Sequence, residues 1–161
     1  MKKSIIAKSV ATFIIIGLIF LISSAGIHEY IHLKVLSLLG GDGYIVLLSE
    51  YTAADTVIIT PPSNYTLYAL SGGIFTALMF LALAYFAWSK KFTEMFAALI
   101  PVILMETFYG IFEGAFWSLP VEQYMAFAYP IVIGAGLTGL YISIYILYKD
   151  LKQKLLSFSV R

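Results

Sequence analysis

Four long apolar segments constrain this chain more than any other feature of its sequence. Each is long enough to cross a membrane, which takes about 20 predominantly apolar residues. Charged residues make up only 12% of the chain, against about 25% in soluble domains, and so much apolar surface cannot be hidden from water in a fold of this size. We therefore predict one all-α integral membrane domain over residues 1–161. The predicted spans are residues 5–39, 66–88, 92–117 and 124–148.

The basic residues predict how these spans are oriented. Nine of the ten lysine and arginine residues lie before or at the start of the first span, between the second and third spans, or after the fourth. Because positively charged segments tend to stay on the cytoplasmic side, we expect both termini to be cytoplasmic in the cell membrane, with membrane lipids as partners. The acidic loop that contains Asp42, Glu50 and Asp55 is then expected to face outward. The net charge of +1 gives no indication of nucleic-acid binding.

The loop between the first and second spans, residues 40–64, has a pattern of its own. Residues 44–48 and 56–60 are rich in β-branched and aliphatic side chains, which favour strands. A polar turn around residues 53–55 separates them, and Pro61-Pro62 ends the second segment. We therefore predict a short β-hairpin outside the membrane.

The first span ends in a motif that is typical of zinc-dependent hydrolases. Both histidines of the chain, His28 and His32, lie here, and Glu29 follows the first of them. Positions four apart share one face of a helix, so both imidazoles can reach one metal ion, while the glutamate acts on a water beside it. Ionisable groups at membrane depth are costly and tend to be functional.

A catalytic zinc site needs a third protein ligand and an open position. The chain has no cysteine and no further histidine, so we expect a carboxylate. The third span offers Glu113 and Glu106. From Lys91, Glu113 is 22 residues away, or about 33 Å along a helix, and Glu106 is 15 residues away, or about 22 Å. His28 lies about 30 Å from Lys8 by the same measure, so the depth of Glu113 matches that of the histidines.

The glycines around Glu113 support the same choice. Gly110 and Gly114 are four apart, a spacing that allows membrane helices to approach closely. A close approach would let a short carboxylate reach the histidines, and we predict Zn²⁺ bound by His28, His32 and Glu113. Glu106 is predicted to be a hydrogen-bonding partner of the site, a proton relay or an alternative third ligand. Either glutamate is alternatively a buried, protonated hydrogen-bond donor.

In these features the chain resembles the site-2-type intramembrane metalloproteases. The motif from His28 to His32 resembles the first element of that family, and the hairpin predicted within residues 44–60 resembles the second. Ser71-Gly72-Gly73 is similar to the family's small-residue element, and Glu113-Gly114 to its acidic element. The resemblance covers about the first two-thirds of the chain.

The resemblance implies a zinc metalloprotease that hydrolyses peptide bonds of membrane-associated protein or peptide substrates. Glu29 would accept a proton from water and deliver it to the leaving amine, and the hairpin could add an unwound substrate segment as a strand. Tyr30, Lys34 and Tyr109 are candidates for stabilising the oxyanion. Lys34 is otherwise an interface residue whose amine reaches toward water.

Two other functions are consistent with the same residues. The chain could be a non-catalytic subunit or assembly factor of a larger membrane complex, with a structural metal or none. It could also be a proton-coupled carrier, in which Glu106, Glu113 and the histidines form a relay. Four spans are few for a carrier, so this alternative predicts an oligomer. The segment 135–139, which contains two glycines, predicts helix packing or self-association.

Overall fold

The computed structural model describes residues 2–48 and 54–157, without the side chains of residues 2, 3, 121, 122 and 124. Its elements, in chain order, are α1 (Lys2–Leu38), β1 (Asp42–Leu47), β2 (Ala54–Thr60), α2 (Tyr65–Ser89), α3 (Thr93–Phe116) and α4 (Val121–Ser157). The four predicted helices and the predicted hairpin are confirmed. Glu50 and part of the predicted turn, residue 53, lie outside the described residues.

Each helix is long and apolar enough to cross a membrane. The last helix continues to Ser157, beyond the end of the predicted span at residue 148. The extension contains leucine, lysine and glutamine, which favour helices, and neither glycine nor proline interrupts it. The apolar pattern therefore predicts the span, while the helix itself extends further.

The hairpin packs on the second half of α1. The two strands are antiparallel, with Ile45 opposite Thr56 and Tyr44 opposite Val57. Side chains alternate between the two faces of a strand, and Ile58 packs on the cluster formed by Leu36 and Tyr68. This contact anchors the hairpin to both α1 and α2.

Glycines bring α2 and α3 into close contact. A Cβ atom at Gly73 would overlap the backbone of Glu106 and Gly110, and one at Gly114 would overlap the side chain of Leu70. Such contacts replace side-chain volume by direct backbone packing. The close approach expected from Gly110 and Gly114 is therefore present, and its partner helix is α2.

The last helix packs on α3. Ser143 Oγ donates a hydrogen bond to the Ala97 carbonyl at 2.6 Å. A Cβ at Gly139 would overlap the backbone of Pro101, and one at Gly136 would overlap Met105. Within the described chain, the glycines of segment 135–139 thus serve intramolecular helix packing, the first of the two expected roles.

Polar contacts gather three chain segments at the end of the bundle opposite the hairpin. Ser9 Oγ donates to Glu94 Oε1 at 2.6 Å, and Lys154 Nζ lies 3.5 Å from the same oxygen. The start of α1, the start of α3 with the turn that precedes it, and the end of α4 are therefore neighbours. These are the segments that carry most of the basic residues, so the charge asymmetry of the sequence corresponds to one end of the structure.

Candidate metal centre

Three side chains meet at the hairpin end of the bundle. His28 Nε2 lies 3.0 Å from His32 Nε2 and 3.0 Å from Glu113 Oε2, and His32 Nε2 lies 3.3 Å from the same oxygen. Both histidines are buried and Glu113 is half-buried. This group can hold a metal ion. The structure thus brings together the two histidines and the carboxylate that the depth comparison favoured.

Three elements position these side chains. The two histidines are one helical turn apart on α1 and therefore share a face. Glu113 projects from α3, which packs against α1 as well as α2. Its neighbour Gly114 is held under Leu70 of α2, which keeps the end of α3 close to the histidines.

The Nδ1 atom of each imidazole lies beside a hydrogen-bond acceptor that orients the ring. His32 Nδ1 lies 3.0 Å from the carbonyl oxygen of Tyr68. A carbonyl only accepts hydrogen bonds, so Nδ1 carries the proton. His28 Nδ1 donates to Glu106 Oε2 at 2.8 Å. In the neutral form of each ring Nε2 then keeps its lone pair, and both Nε2 atoms face Glu113.

This donor set fits a metal ion. Two imidazole lone pairs and a carboxylate oxygen repel one another unless a cation lies between them. Ligand atoms of a tetrahedral zinc site, with bonds of about 2.0–2.1 Å, lie about 3.3 Å apart. The separations of 3.0–3.3 Å are close to that value. Two nitrogens and one oxygen, with a fourth position for water or substrate, are typical of catalytic zinc.

Gly72 leaves the space beside the ligand nitrogens. A Cβ atom at this position would overlap the Nε2 atoms of both His28 and His32. The side-chain hydrogen of glycine therefore keeps the ligand face of the imidazoles accessible. Gly73, the next residue, carries the backbone contact with α3. Gly72 thus leaves space at the ligand nitrogens, and Gly73 beside it allows the backbone contact with α3.

Glu106 lies beside the three-residue group and contacts only one of its members among the interactions described. It is buried, at 8% exposure, and accepts from the Nδ1 of His28 rather than facing its Nε2. When the nitrogen of a metal-bound histidine that does not bind the metal donates a hydrogen bond to a carboxylate, this bond fixes the tautomer of the ring. It also raises the basicity of the nitrogen that binds the metal. Of the predicted alternatives for Glu106, this position fits a hydrogen-bonding partner of the site.

Glu29 is held by the hairpin. Thr56 Oγ1 donates to Glu29 Oε2 at 2.6 Å and lies 3.3 Å from the backbone carbonyl of the same residue. The glutamate is buried, at 9% exposure. Because Thr56 belongs to β2, docking of the hairpin fixes the orientation of this carboxylate.

A cavity of about 360 Å³ opens beside these groups. His28, Glu29 and Glu106 contribute its polar wall, and Tyr109 also lines it. Most of its remaining lining is apolar, including Ala54 from the start of β2. Glu29 and the candidate metal ligand His28 therefore line the same cavity.

The three candidates for oxyanion stabilisation lie in different places. The Tyr109 ring centroid is 5.1 Å from that of His28, so this residue is at the site. Lys34 and Tyr30 are both exposed, and Lys34 Nζ lies over the Tyr30 ring, 5.3 Å from its centroid. The structure therefore brings only Tyr109 of the three to the wall of the cavity.

Asp55 is the acidic residue of the hairpin closest in sequence to Thr56. Partial burial raises the pKa of its carboxyl above the ordinary value, and the negative charge of Glu113 acts in the same direction. A hydrogen bond from the Thr56 backbone opposes this shift. Because Glu113 raises and His32 lowers the pKa of this carboxyl through their charges, Asp55 lies within electrostatic range of the site.

Sequence reasoning missed the roles of Thr56 and of the Tyr68 carbonyl. A backbone carbonyl has no residue-specific signal, and the partner of Glu29 lies 27 residues away across the hairpin. Gly72 was identified through the resemblance, but its contact with the imidazole nitrogens depends on how α2 packs. Comparison of the chain with protein-family models, curated proteins and solved structures finds no match.

Proposed function

We propose that the chain is an integral membrane protein with four transmembrane helices and with both termini on the cytoplasmic side. The length and composition of the four helices support insertion. Large apolar side chains are exposed along them, among them Ile22 at 75%, Leu137 at 61% and Tyr85 at 68%. Such surfaces are stable in lipid rather than in water. The gathering of basic segments at one end supports the orientation.

We further propose that it is a zinc metalloprotease that hydrolyses peptide bonds of membrane-associated substrates. One observation carries this proposal: the Nε2 atoms of His28 and His32 and a carboxylate oxygen of Glu113 lie close enough together to hold one ion, while Glu29 and His28 line the same cavity. Two metal-ligating histidines and a buried glutamate on the same helix are the arrangement that metal-assisted hydrolysis requires.

Each residue would contribute a separate function. Bound zinc would supply Lewis-acid polarisation of the scissile carbonyl. Glu29 would take a proton from the attacking water and deliver it to the leaving amine, as a general base and then a general acid. Thr56 would hold this carboxylate in position, and Glu106 would hold the His28 ring.

The hairpin would take part in substrate binding. In a two-stranded sheet each strand has one edge without a strand neighbour, and such an edge can pair with an extended peptide. Strand addition would unwind a helical substrate and expose its scissile bond. β2 also contributes Ala54 to the cavity wall, so a bound peptide would lie near Glu29.

A proton-coupled carrier is the second candidate. The observation that favours it is a chain of hydrogen-bonding contacts that runs from Glu106 through His28 to Glu113 and His32. A proton between the two Nε2 atoms would relieve the same repulsion as a metal ion. The carrier therefore predicts a site that works without metal.

Metal analysis combined with a cleavage assay tests the proposal. The samples are the purified wild type, His28→Ala and Glu29→Gln, with a fluorogenic peptide library in detergent as substrate. We expect one zinc per chain in the wild type and in Glu29→Gln, little in His28→Ala, and cleavage by the wild type alone. A wild type without stoichiometric metal would reject the protease. Proton-dependent transport by this metal-free protein in vesicles would support the carrier.

A further inference from the structure

The side chain of Tyr68 is buried between α1 and the hairpin. Its exposure is 9%, and it forms a cluster with Leu36 of α1, on which Ile58 of β2 packs. The centroid of its ring also lies 4.8 Å from that of His32. A buried tyrosine usually has a hydrogen-bonding partner for its hydroxyl group, so the surroundings of this hydroxyl are informative.

The hydroxyl of Tyr68 reaches the part of β2 that holds Glu29. Thr56 and Ile58 are two positions apart on this strand, so their side chains lie on the same face. Ile58 packs on the cluster that contains the Tyr68 ring, and the Tyr68 hydroxyl interacts with the Thr56 side chain. The charges of Glu29 and Glu113 also act on this hydroxyl. The Tyr68 side chain thus extends along the inner face of β2 toward the candidate catalytic groups.

The hydrogen bond from Thr56 to Glu29 gives the contact between the two hydroxyls a direction. A hydroxyl group has one proton to donate and lone pairs that accept. Thr56 Oγ1 donates its proton to Glu29 Oε2 at 2.6 Å, so toward Tyr68 the same oxygen is left as an acceptor. The Tyr68 O–H is then the donor. The resulting chain runs from Tyr68 through Thr56 to the Glu29 carboxylate and joins α2, β2 and α1.

The position of Tyr68 favours an indirect effect on the reaction over contact with the substrate. His28 and Glu29 line the cavity beside the candidate metal centre, whereas Tyr68 is not among the described residues of its wall. The backbone carbonyl and the ring of Tyr68 both contact His32. Its hydroxyl therefore reaches the cavity through Thr56 and Glu29.

We propose that Tyr68 is a positioning residue for the general base, and that its hydroxyl acts on Glu29 through Thr56. A hydroxyl that accepts one hydrogen bond becomes a stronger donor in another, because the two bonds polarise each other. The Tyr68 hydroxyl thus strengthens the bond by which Thr56 holds the Glu29 carboxylate. The effect on catalysis rests on the proposed protease function, whereas the chain of hydroxyls does not depend on metal or on cleavage.

Carbon-13 NMR of the full-length, metal-free protein in detergent tests the contact itself. The probe is tyrosine labelled at Cζ, the ring carbon that carries the hydroxyl, and the Tyr68 signal is the one that Tyr68→Phe removes. We expect Thr56→Val to shift this signal, because valine cannot accept from the phenol, and Thr56→Ser to leave it near its wild-type position. A signal that does not move in Thr56→Val, or that moves equally in both variants, would overturn the proposal.

Cleavage kinetics of the zinc-loaded protein test the effect on the general base. Tyr68→Phe removes the hydroxyl and keeps the ring that packs on His32. Loss of one neutral hydrogen bond corresponds to about fivefold in rate, so kcat should fall by about that factor, with KM and zinc content unchanged. The control is Tyr85→Phe, which should cleave like the wild type, because Tyr85 lies on the same helix and is 68% exposed. Loss of zinc from Tyr68→Phe would assign Tyr68 to the support of His32 and overturn the proposal.

A double-mutant cycle decides whether Tyr68 acts through Thr56. In the Thr56→Val background the Tyr68 hydroxyl has lost its link to Glu29, so adding Tyr68→Phe should lower kcat by less than about twofold. Effects that multiply would show that the Tyr68 hydroxyl acts independently of Thr56, for example on the oxyanion of the substrate, and would refute the proposal.

The spectroscopic and kinetic measurements together separate this proposal from the protease function. A wild type that cleaves no peptide, with a Tyr68 signal that responds to Thr56→Val but not to Thr56→Ser, would reject the protease and support the chain of hydroxyls. An active wild type with equal cleavage by Tyr68→Phe would overturn the positioning role and leave the protease intact.

Discussion

His28 Nδ1 donates a hydrogen bond to Glu106 Oε2 at 2.8 Å, and both side chains are buried. This pair links α1 to α3 and fixes which nitrogen of the imidazole faces Glu113. The donor–acceptor pairing of His32 with the Tyr68 carbonyl has the same effect on the second ring. The two acceptors therefore orient both rings so that each Nε2 atom faces Glu113.

Glu106→Ala should weaken zinc binding because it removes the acceptor that orients His28. Loss of such a partner typically costs about 10–100-fold in metal affinity. Glu106→Gln should lose less, since its amide oxygen still accepts from Nδ1–H. The measurement is a zinc dissociation constant from competition with a chromophoric chelator.

Glu94→Gln is the matched control, because Glu94 contacts Ser9 and Lys154 at the opposite end of the bundle. Its zinc affinity should equal that of the wild type. Equal affinity for Glu106→Ala and the wild type would contradict the proposed role of the His28–Glu106 pair.

Gly72→Ala should abolish zinc binding while the protein still folds. The added methyl group would overlap the Nε2 atoms of both histidines, so the rings must turn away from the ligand position. The measurement is zinc per chain by elemental analysis, with helicity from circular dichroism as the check on folding. Gly134→Ala, where the methyl meets nothing within 4 Å, should retain full zinc. A zinc-loaded, folded Gly72→Ala protein would disprove this steric account.

Thr56→Val should lower kcat and leave both KM and zinc content near their wild-type values. It removes the 2.6 Å hydrogen bond to Glu29 Oε2 but keeps the branched shape that packs in β2. General acid–base catalysis is worth about 10²–10⁴-fold, and we expect a misoriented Glu29 to forfeit roughly tenfold or more of it. Thr56→Ser keeps the hydroxyl and should restore kcat. A Ser variant as impaired as Val would assign Thr56 to packing alone.

Gly110→Ala should destabilise the packing of α2 on α3. A Cβ at Gly110 would come within 2.7 Å of the Ile74 nitrogen and 2.9 Å of the Gly73 Cα. These neighbours are backbone atoms and cannot rotate away, and overpacking of this kind costs about 1–3 kcal/mol. Thermal unfolding of the zinc-free protein measures the effect. Gly26→Ala, which meets nothing within 4 Å, should unfold like the wild type, and an equally stable Gly110→Ala would argue against the close helix contact.

Chelation should lower the thermal stability of the wild type but not that of Gly72→Ala. A ligand that binds only the folded protein, at a concentration about 1,000 times its dissociation constant, stabilises it by about 4.1 kcal/mol. Because α1 and α3 both supply ligands, this stabilisation should appear as a higher unfolding temperature with zinc than with chelator. Identical curves for the wild type with and without chelator would oppose a bound metal.

Much of the architecture follows from local sequence patterns. Apolar length predicts four helices, since a segment that avoids water throughout its length has few other structures available. The β-branched and aliphatic content and the prolines of residues 40–64 predict the hairpin, and the two glycines beside Glu113 predict a close helix contact. The i, i+4 spacing of His28 and His32 places two imidazoles on one face by helix geometry alone.

Which residues of different helices and strands contact one another was decided by the tertiary structure. Whether the face of α3 that carries both Glu106 and Glu113 turns toward the histidines depends on the rotation of α3 about its axis, and residue counting along a helix measures depth but not rotation. The hydrogen bonds of Thr56 and Tyr68, and the clearance at Gly72, arise between segments distant in sequence. Periodicity is a local property of the chain, whereas a metal centre depends on how separate elements pack, and only the packed structure contains that information.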